Sequence, residues 1–142
     1  MTRKILFTGS RDANPEMLRL AREYLDSLVG WDVHIIVGDA DGVDYQVVMI
    51  CDEKDISVEC HGAYQKMRFK TWTGKNFAHD TDYLGRDRIM ANLLEPGDEC
   101  VAVWNGKWKN GIVGRSGTVT TARYARERGA VVTWLYKIPI EE

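Results

Sequence analysis

Nowhere in this sequence do apolar residues run for the roughly 18 positions that a membrane-spanning helix needs. Met1-Thr2-Arg3-Lys4 passes directly into a short apolar run, without the longer apolar core and small-residue cleavage site of a secretory signal. No membrane partner is therefore expected, and the cytoplasm is the expected location. Cysteine is scarce. Cys51, Cys60 and Cys100 are odd in number, lack zinc-ligand spacing and fall in or beside apolar runs, which argues against a disulfide framework and predicts reduced, packed thiols. An excess of positive charge is missing too: the formal net charge of -2 leaves no wholesale basic surface, so a nucleic-acid partner would need a local patch. Repeats, low-complexity tracts and linkers are absent, and 142 residues are expected to fold as one domain, residues 1–142. The 44% hydrophobic and 28% charged residues that are present suit a soluble globular protein.

Along the chain, short apolar runs alternate with stretches of helical spacing. Lys4 to Thr8 reads as a buried first strand, and Val33 to Val37 as a second, too continuously apolar to have one face in water. Ile56 to Cys60, Glu99 to Trp104 and Ala130 to Leu135 supply three more. Between them, helices are predicted from Pro15 toward Gly30, with Asn14 or Asp12 as cap, and from Asp44 to Lys54. Others run from Tyr83 toward Pro96-Gly97 and from Val119 toward Gly129, and Lys137 to Glu142 is a short tail. This order predicts an α/β, three-layer, doubly wound and mostly parallel five-stranded sheet.

Val37-Gly38-Asp39-Ala40-Asp41-Gly42-Val43-Asp44 is a strand end, a tight turn and a helix start, readable as half of a phosphate cradle or as an ordinary capped turn. A calcium loop is excluded, because its first and twelfth positions would be Val37 and Val48. No metal or other cofactor is expected. Arg11, in the loop after the first strand, is an anion clamp or a solvated arginine. Arg86, at the start of the third helix, is placed to meet an anion, while Asp87 can simply cap that helix. The loop from Asn105 to Arg115 leads into Ser116-Gly117-Thr118 and a helix start, an arrangement that lets backbone N–H groups approach phosphate oxygens. It is not a Walker A motif, for the Gly-Lys-Ser/Thr ending is missing. Gly62 to Asp80 interleaves Tyr64, Phe69, Trp72 and Phe77 with Lys66, Arg68, Lys70 and Lys75, which fits base stacking and a grip on a single strand, or a long covering loop. His61 and His79 are read as structural.

Taken together, Thr8-Gly9-Ser10-Arg11, Gly38 to Asp44, Gly85-Arg86-Asp87-Arg88-Ile89-Met90 and Ser116-Gly117-Thr118 resemble the SLOG superfamily, in particular its small YspA/YpsA-related, Rossmann-like members. The resemblance extends from Ile5 to Trp134. It implies a Rossmann-like sheet binding a nucleotide or nucleotide-derived ligand, such as a nucleoside phosphate or an ADP-ribose-like molecule. It further implies contacts from Gly9, Ser10 and Arg11, from Gly38, Asp39, Gly42 and Asp44, from Arg86, and from Ser116, Gly117 and Thr118. Three positions depart from the family pattern. Asp87 stands for an asparagine, Asp39 for a glycine, where its carboxylate can take a ribose hydroxyl instead, and Thr121 for the catalytic glutamate of the phosphoribohydrolases. A threonine is no general base near neutral pH without a partner. The expected function is nucleotide binding, as sensor or carrier, with no catalytic residue assigned. The first alternative is an N-glycosidic nucleotide hydrolase using Asp39, Asp41 or Asp44, and the second is single-stranded nucleic-acid binding, disfavoured by the net charge. Self-association is expected from five tryptophans on a small domain.

Overall fold

In the first strand Ile5 and Phe7 point to one face of the sheet and Leu6 to the other, and all three are fully buried, so the strand is covered on both sides. In a computed structural model describing residues 2–140, this strand is β1 (Arg3–Gly9). Met1 and the last two residues of the expected tail, Glu141 and Glu142, lie outside the described residues. The elements that follow are α1 (Pro15–Asp26), β2 (Val33–Gly38), α2 (Val43–Lys54), β3 (Val58–Gly62), β4 (Lys75–Ala78), α3 (Tyr83–Asn92), β5 (Glu99–Val103), α4 (Gly117–Glu127) and β6 (Val131–Trp134).

The strands form one sheet in the order β4-β3-β2-β1-β5-β6. All five pairings are parallel. On one face Ile5, Phe7, Ile35, Val37, Val101 and Val103 pack against α1 and α2 through Met17, Ala21, Leu25, Val43 and Val47. On the other, Leu6, Ile36, Cys100 and Ala102 pack against α3 and α4 through Met90, Ala91, Ala122 and Ala125. Each large apolar side chain buried this way contributes about 2 kcal/mol relative to exposure. The architecture is thus the expected three-layer, doubly wound α/β fold. Cys51, Cys60 and Cys100 are free and buried within it, and burial pushes their thiols up to about 12.

The sheet has six strands and not the expected five. Lys75-Asn76-Phe77-Ala78 pairs along one side only, with β3, and is largely exposed, so it carries no apolar run to mark it. The long covering loop expected over Gly62 to Asp80 is therefore interrupted by an edge strand, and its aromatic residues disperse. Phe69 packs edge-on against Tyr45, Phe77 stacks on His61, and Tyr64 meets Tyr83. Trp72, 93% exposed, sits where its backbone N–H donates to Asp52 near the end of α2. No single stacking platform results. The β3 strand also begins two residues later than Ile56, and α3 is capped by Asp82 rather than Asp87, its carboxylate accepting from the Gly85 N–H at 2.7 Å.

Candidate functional site

From β1 the chain steps outward through β2 and β3 to β4, then returns to the opposite side of β1 as β5. The loops after β1 and β5 consequently part in opposite directions, and a crevice opens at the carboxyl ends of these two strands. Its edge is pinned by the Ser10 N–H donating to Val103 O at 3.0 Å and the Asn105 N–H donating to Ser10 Oγ at 2.9 Å. The cleft holds about 610 Å³. Among the residues expected at a ligand site, Gly9, Ser10, Arg11, Asp44, Arg86, Ser116, Gly117 and Thr118 line it.

Gly38, Asp39 and Gly42 lie behind the lining. A Cβ on Gly42, whose φ is +81°, would come within 2.3 Å of Arg11 O, and the neighbouring Val43 N–H donates to Ser10 O at 3.3 Å. This glycine turn thus locks the α2 N-terminus onto the loop after β1. Gly38 makes room for two side chains: a Cβ there would lie 2.9 Å from both Arg86 Nη1 and Asp44 Oδ2.

Arg86 lies one turn into α3 and is 4% exposed. Its Nε donates to Asp87 Oδ1 and its Nη1 to Asp39 Oδ1, both at 2.8 Å, with a further bond from Nη1 to His61 O at 3.1 Å. The second Asp39 oxygen accepts from the Arg68 N–H at 2.8 Å. Asp44 completes the floor. Its Oδ2 accepts from the Ala40 N–H at 3.2 Å, while Oδ1 is buried without a partner. Three carboxyl groups thus surround one guanidinium. Burial raises Asp44 to about 7, although Arg86 and the Ala40 N–H oppose the shift. Burial likewise raises Asp87 against the pull of Arg86.

The opposite wall is the start of α4. Ser116 caps it by accepting from the Val119 N–H at 3.2 Å, and Gly117 leaves the first turn bare, with nothing beyond its chain neighbours and its own helix backbone within 4 Å of where its Cβ would be. Thr121, one turn on, donates to Gly117 O at 2.7 Å and also faces Asp87. Positive charge collects at the mouth. Arg11, Lys107 and Lys109 line it, and Lys107 is paired at 3.6 Å with Asp12. Tyr83, which sequence reasoning treated only as a helix start, stands at the centre of this rim: Arg68, Arg11 and Arg86 lie 4.4, 5.1 and 5.4 Å from its ring centroid. Arg68 also donates to the Tyr83 hydroxyl. Tyr83 and Trp108 thus line the cleft without any local motif to mark them.

No family model and no curated protein matches the sequence. Solved structures do match in shape. DNA processing protein A from Streptococcus pneumoniae superposes with a TM-score of 0.68 at 17% identity over 93% of this chain and 50% of its own. The chain has the fold of DNA-processing protein A. The protein of that name from Helicobacter pylori, whose structure is described by its single-stranded DNA binding mode, gives a TM-score of 0.64 at 16% identity over 93% of this chain and 64% of its own. The structural-genomics protein TM1055 gives 0.61 at 16% identity over 92% of this chain and 72% of its own. This chain therefore spans about half the length of the pneumococcal DNA-processing protein A. The likeness agrees, at the level of fold, with the SLOG resemblance of the four sequence motifs. Among the described residues no helix is long and apolar enough to cross a membrane.

Proposed function

We propose that the cleft binds a nucleotide by its phosphate, and that the nucleotide is a unit of a single-stranded nucleic acid. The observation that carries the phosphate is the open first turn of α4 at Gly117 and Thr118, facing a mouth lined by Arg11, Lys107 and Lys109. The fold shared with DNA-processing protein A, one example of which is described with single-stranded DNA, favours the strand as bearer. Arg68, over the Tyr83 ring, extends the basic, aromatic rim beyond the cleft lining. A second reading, a free nucleotide or an ADP-ribose-like ligand, is supported by the size of the cleft, whose 610 Å³ suits one small ligand. N-glycosidic hydrolysis would need a carboxyl directed at the sugar, and Asp44 is the candidate for that role.

Fluorescence anisotropy of labelled single-stranded oligonucleotides across a salt series tests this. Affinity is expected to fall with salt, and Arg11→Ala to weaken it and flatten the logarithmic salt slope by about 0.7 if one phosphate contact is lost. Thermal shift with nucleoside mono-, di- and triphosphates and ADP-ribose covers the second reading, because a ligand at 100 times its Kd adds about 2.7 kcal/mol of apparent stability. Absence of both signals would reject the site as a nucleotide cleft.

A further inference from the structure

We propose that Asp44 reads the sugar of the bound nucleotide by accepting a hydrogen bond from its 2′-hydroxyl, so that the cleft prefers ribonucleotide units to deoxyribonucleotide units. The inference rests on the nucleotide reading above and adds to it the class of sugar. Its basis is the distribution of hydrogen bonds across the floor. Asp39, the carboxylate that the sequence offers for a ribose hydroxyl, has both oxygens engaged, one by Arg86 Nη1 and the other by the Arg68 N–H. Asp87 accepts from Arg86 Nε and faces Thr121. Asp44 Oδ1 alone, among the described buried side-chain oxygens and nitrogens, has no partner, and Asp44 lines the cleft while being 5% exposed. A buried, unpaired carboxylate oxygen is costly, and a donor arriving with the ligand relieves that cost.

The chemistry of the donor follows from what a nucleotide carries. A phosphate at the open turn of α4 offers acceptors only, so the group that meets Asp44 Oδ1 is a sugar hydroxyl or a base N–H. Asp87, which Thr121 of α4 backs from behind, lines the cleft with Arg86 and Asp44 on one side and Gly117 and Thr118 on the other. That polar floor is adjacent to the phosphate position, as a sugar is adjacent to its phosphate. The flat apolar faces of a base are better matched by Tyr83 and Trp108 on the walls. A hydroxyl donating to an ionised carboxylate belongs to the stronger class of hydrogen bond, and its loss leaves the carboxylate unpaired again. Preferences of about ten- to hundred-fold follow from one such contact.

The test compares oligouridylate with oligodeoxyuridylate, which differ only at the 2′-position, and UMP with dUMP, all at pH 8. Wild-type protein is expected to bind the ribose form at least ten-fold more tightly in whichever pair binds. Asp44→Ala is expected to abolish that preference mainly by weakening the ribose form. Asp44→Asn, whose one carbonyl is held by the Ala40 N–H and which therefore turns a donor toward the ligand in place of Oδ1, is expected to lose most of the preference as well, and circular dichroism checks that both variants fold. Equal affinity for the two sugars, or a preference unchanged in both variants, overturns the assignment of Asp44 while leaving nucleotide binding intact. Failure of all four probes to bind overturns this inference, and failure of the nucleoside phosphates and ADP-ribose along with them overturns the nucleotide reading itself.

Discussion

Replacing Asp44 by Asn is expected to make the protein more stable, and increasingly so from pH 5 to pH 7. In the folded state burial holds the Asp44 carboxyl at about 7, whereas the unfolded chain ionises it near 3.8. Between those values the folded protein keeps a proton that the unfolded chain has released. Stability then falls as pH rises, by about 1.4 kcal/mol per pH unit, and levels off once the folded group also ionises. Over two units the penalty reaches about 3 kcal/mol, or roughly 8 °C in Tm for a chain of this length. An asparagine has no proton to lose, so its stability advantage should grow by that amount between pH 5 and 7 and hold steady from pH 7.5 to 8.5. His79, lowered mainly by burial and so acting in the opposite sense, occurs in both proteins and drops out of the difference, whereas Asp87, which repels Asp44, should ionise more readily in the variant and add to its advantage. Paired urea titrations at each pH measure it. A gap that stays constant within about 1 kcal/mol across this range would show that Arg86 keeps Asp44 ionised despite its burial, and the argument from desolvation would fail.

Arg86→Leu removes the guanidinium that three buried carboxyls share and should cost about 3–5 kcal/mol at pH 8, less at pH 5, by urea denaturation. In Gly9→Ala the new methyl would lie 2.3 Å from Val43 Cβ, forcing β1 and α2 apart; a loss of about 1–3 kcal/mol is expected in the same assay. Burial disfavours ionisation of Glu59, but hydrogen bonds from His34 and His61, at 2.6 and 2.5 Å, outweigh it and hold the group at about 2. Wild-type protein should therefore lose up to about 3 kcal/mol as pH falls from 4.5 to 2, and Glu59→Gln should show a flatter profile by circular dichroism over that interval.

The central strands were legible because burial on both faces requires an unbroken apolar run. Lys4 to Thr8, Val33 to Val37 and Glu99 to Trp104 have one and became β1, β2 and β5 to within a residue or two. The edge strand β4 obeys no such requirement. Three of its four residues are exposed, and only its register with Glu59 to Gly62 makes it a strand. Helix positions followed from caps and glycines, but ends were overestimated wherever turns continued the pattern, as between Ser27 and Gly30 after α1.

At the site, local motifs located strand ends and helix starts, and these do converge on one cleft. What they could not supply was pairing between residues far apart in sequence. Asp39 and Arg86 are separated by 47 positions. Taken singly, Asp39 and Asp87 look like losses of ligand contact relative to the family pattern; together they explain how Arg86 can be buried at all, since a guanidinium at 4% exposure needs carboxylates on it. The two departures thus form one compensated unit, and two of the three Arg86 nitrogens are committed to protein acceptors. The proposed anion recognition then rests on groups whose charge is not spent internally. Arg11 at the mouth and the bare first turn of α4 meet that condition, whereas the α2 start, closed by Ser10 O, does not. The glycine turn at Gly38 to Asp44 accordingly does its work on the protein's own loops, and contributes to the cleft one buried carboxyl with an oxygen to spare.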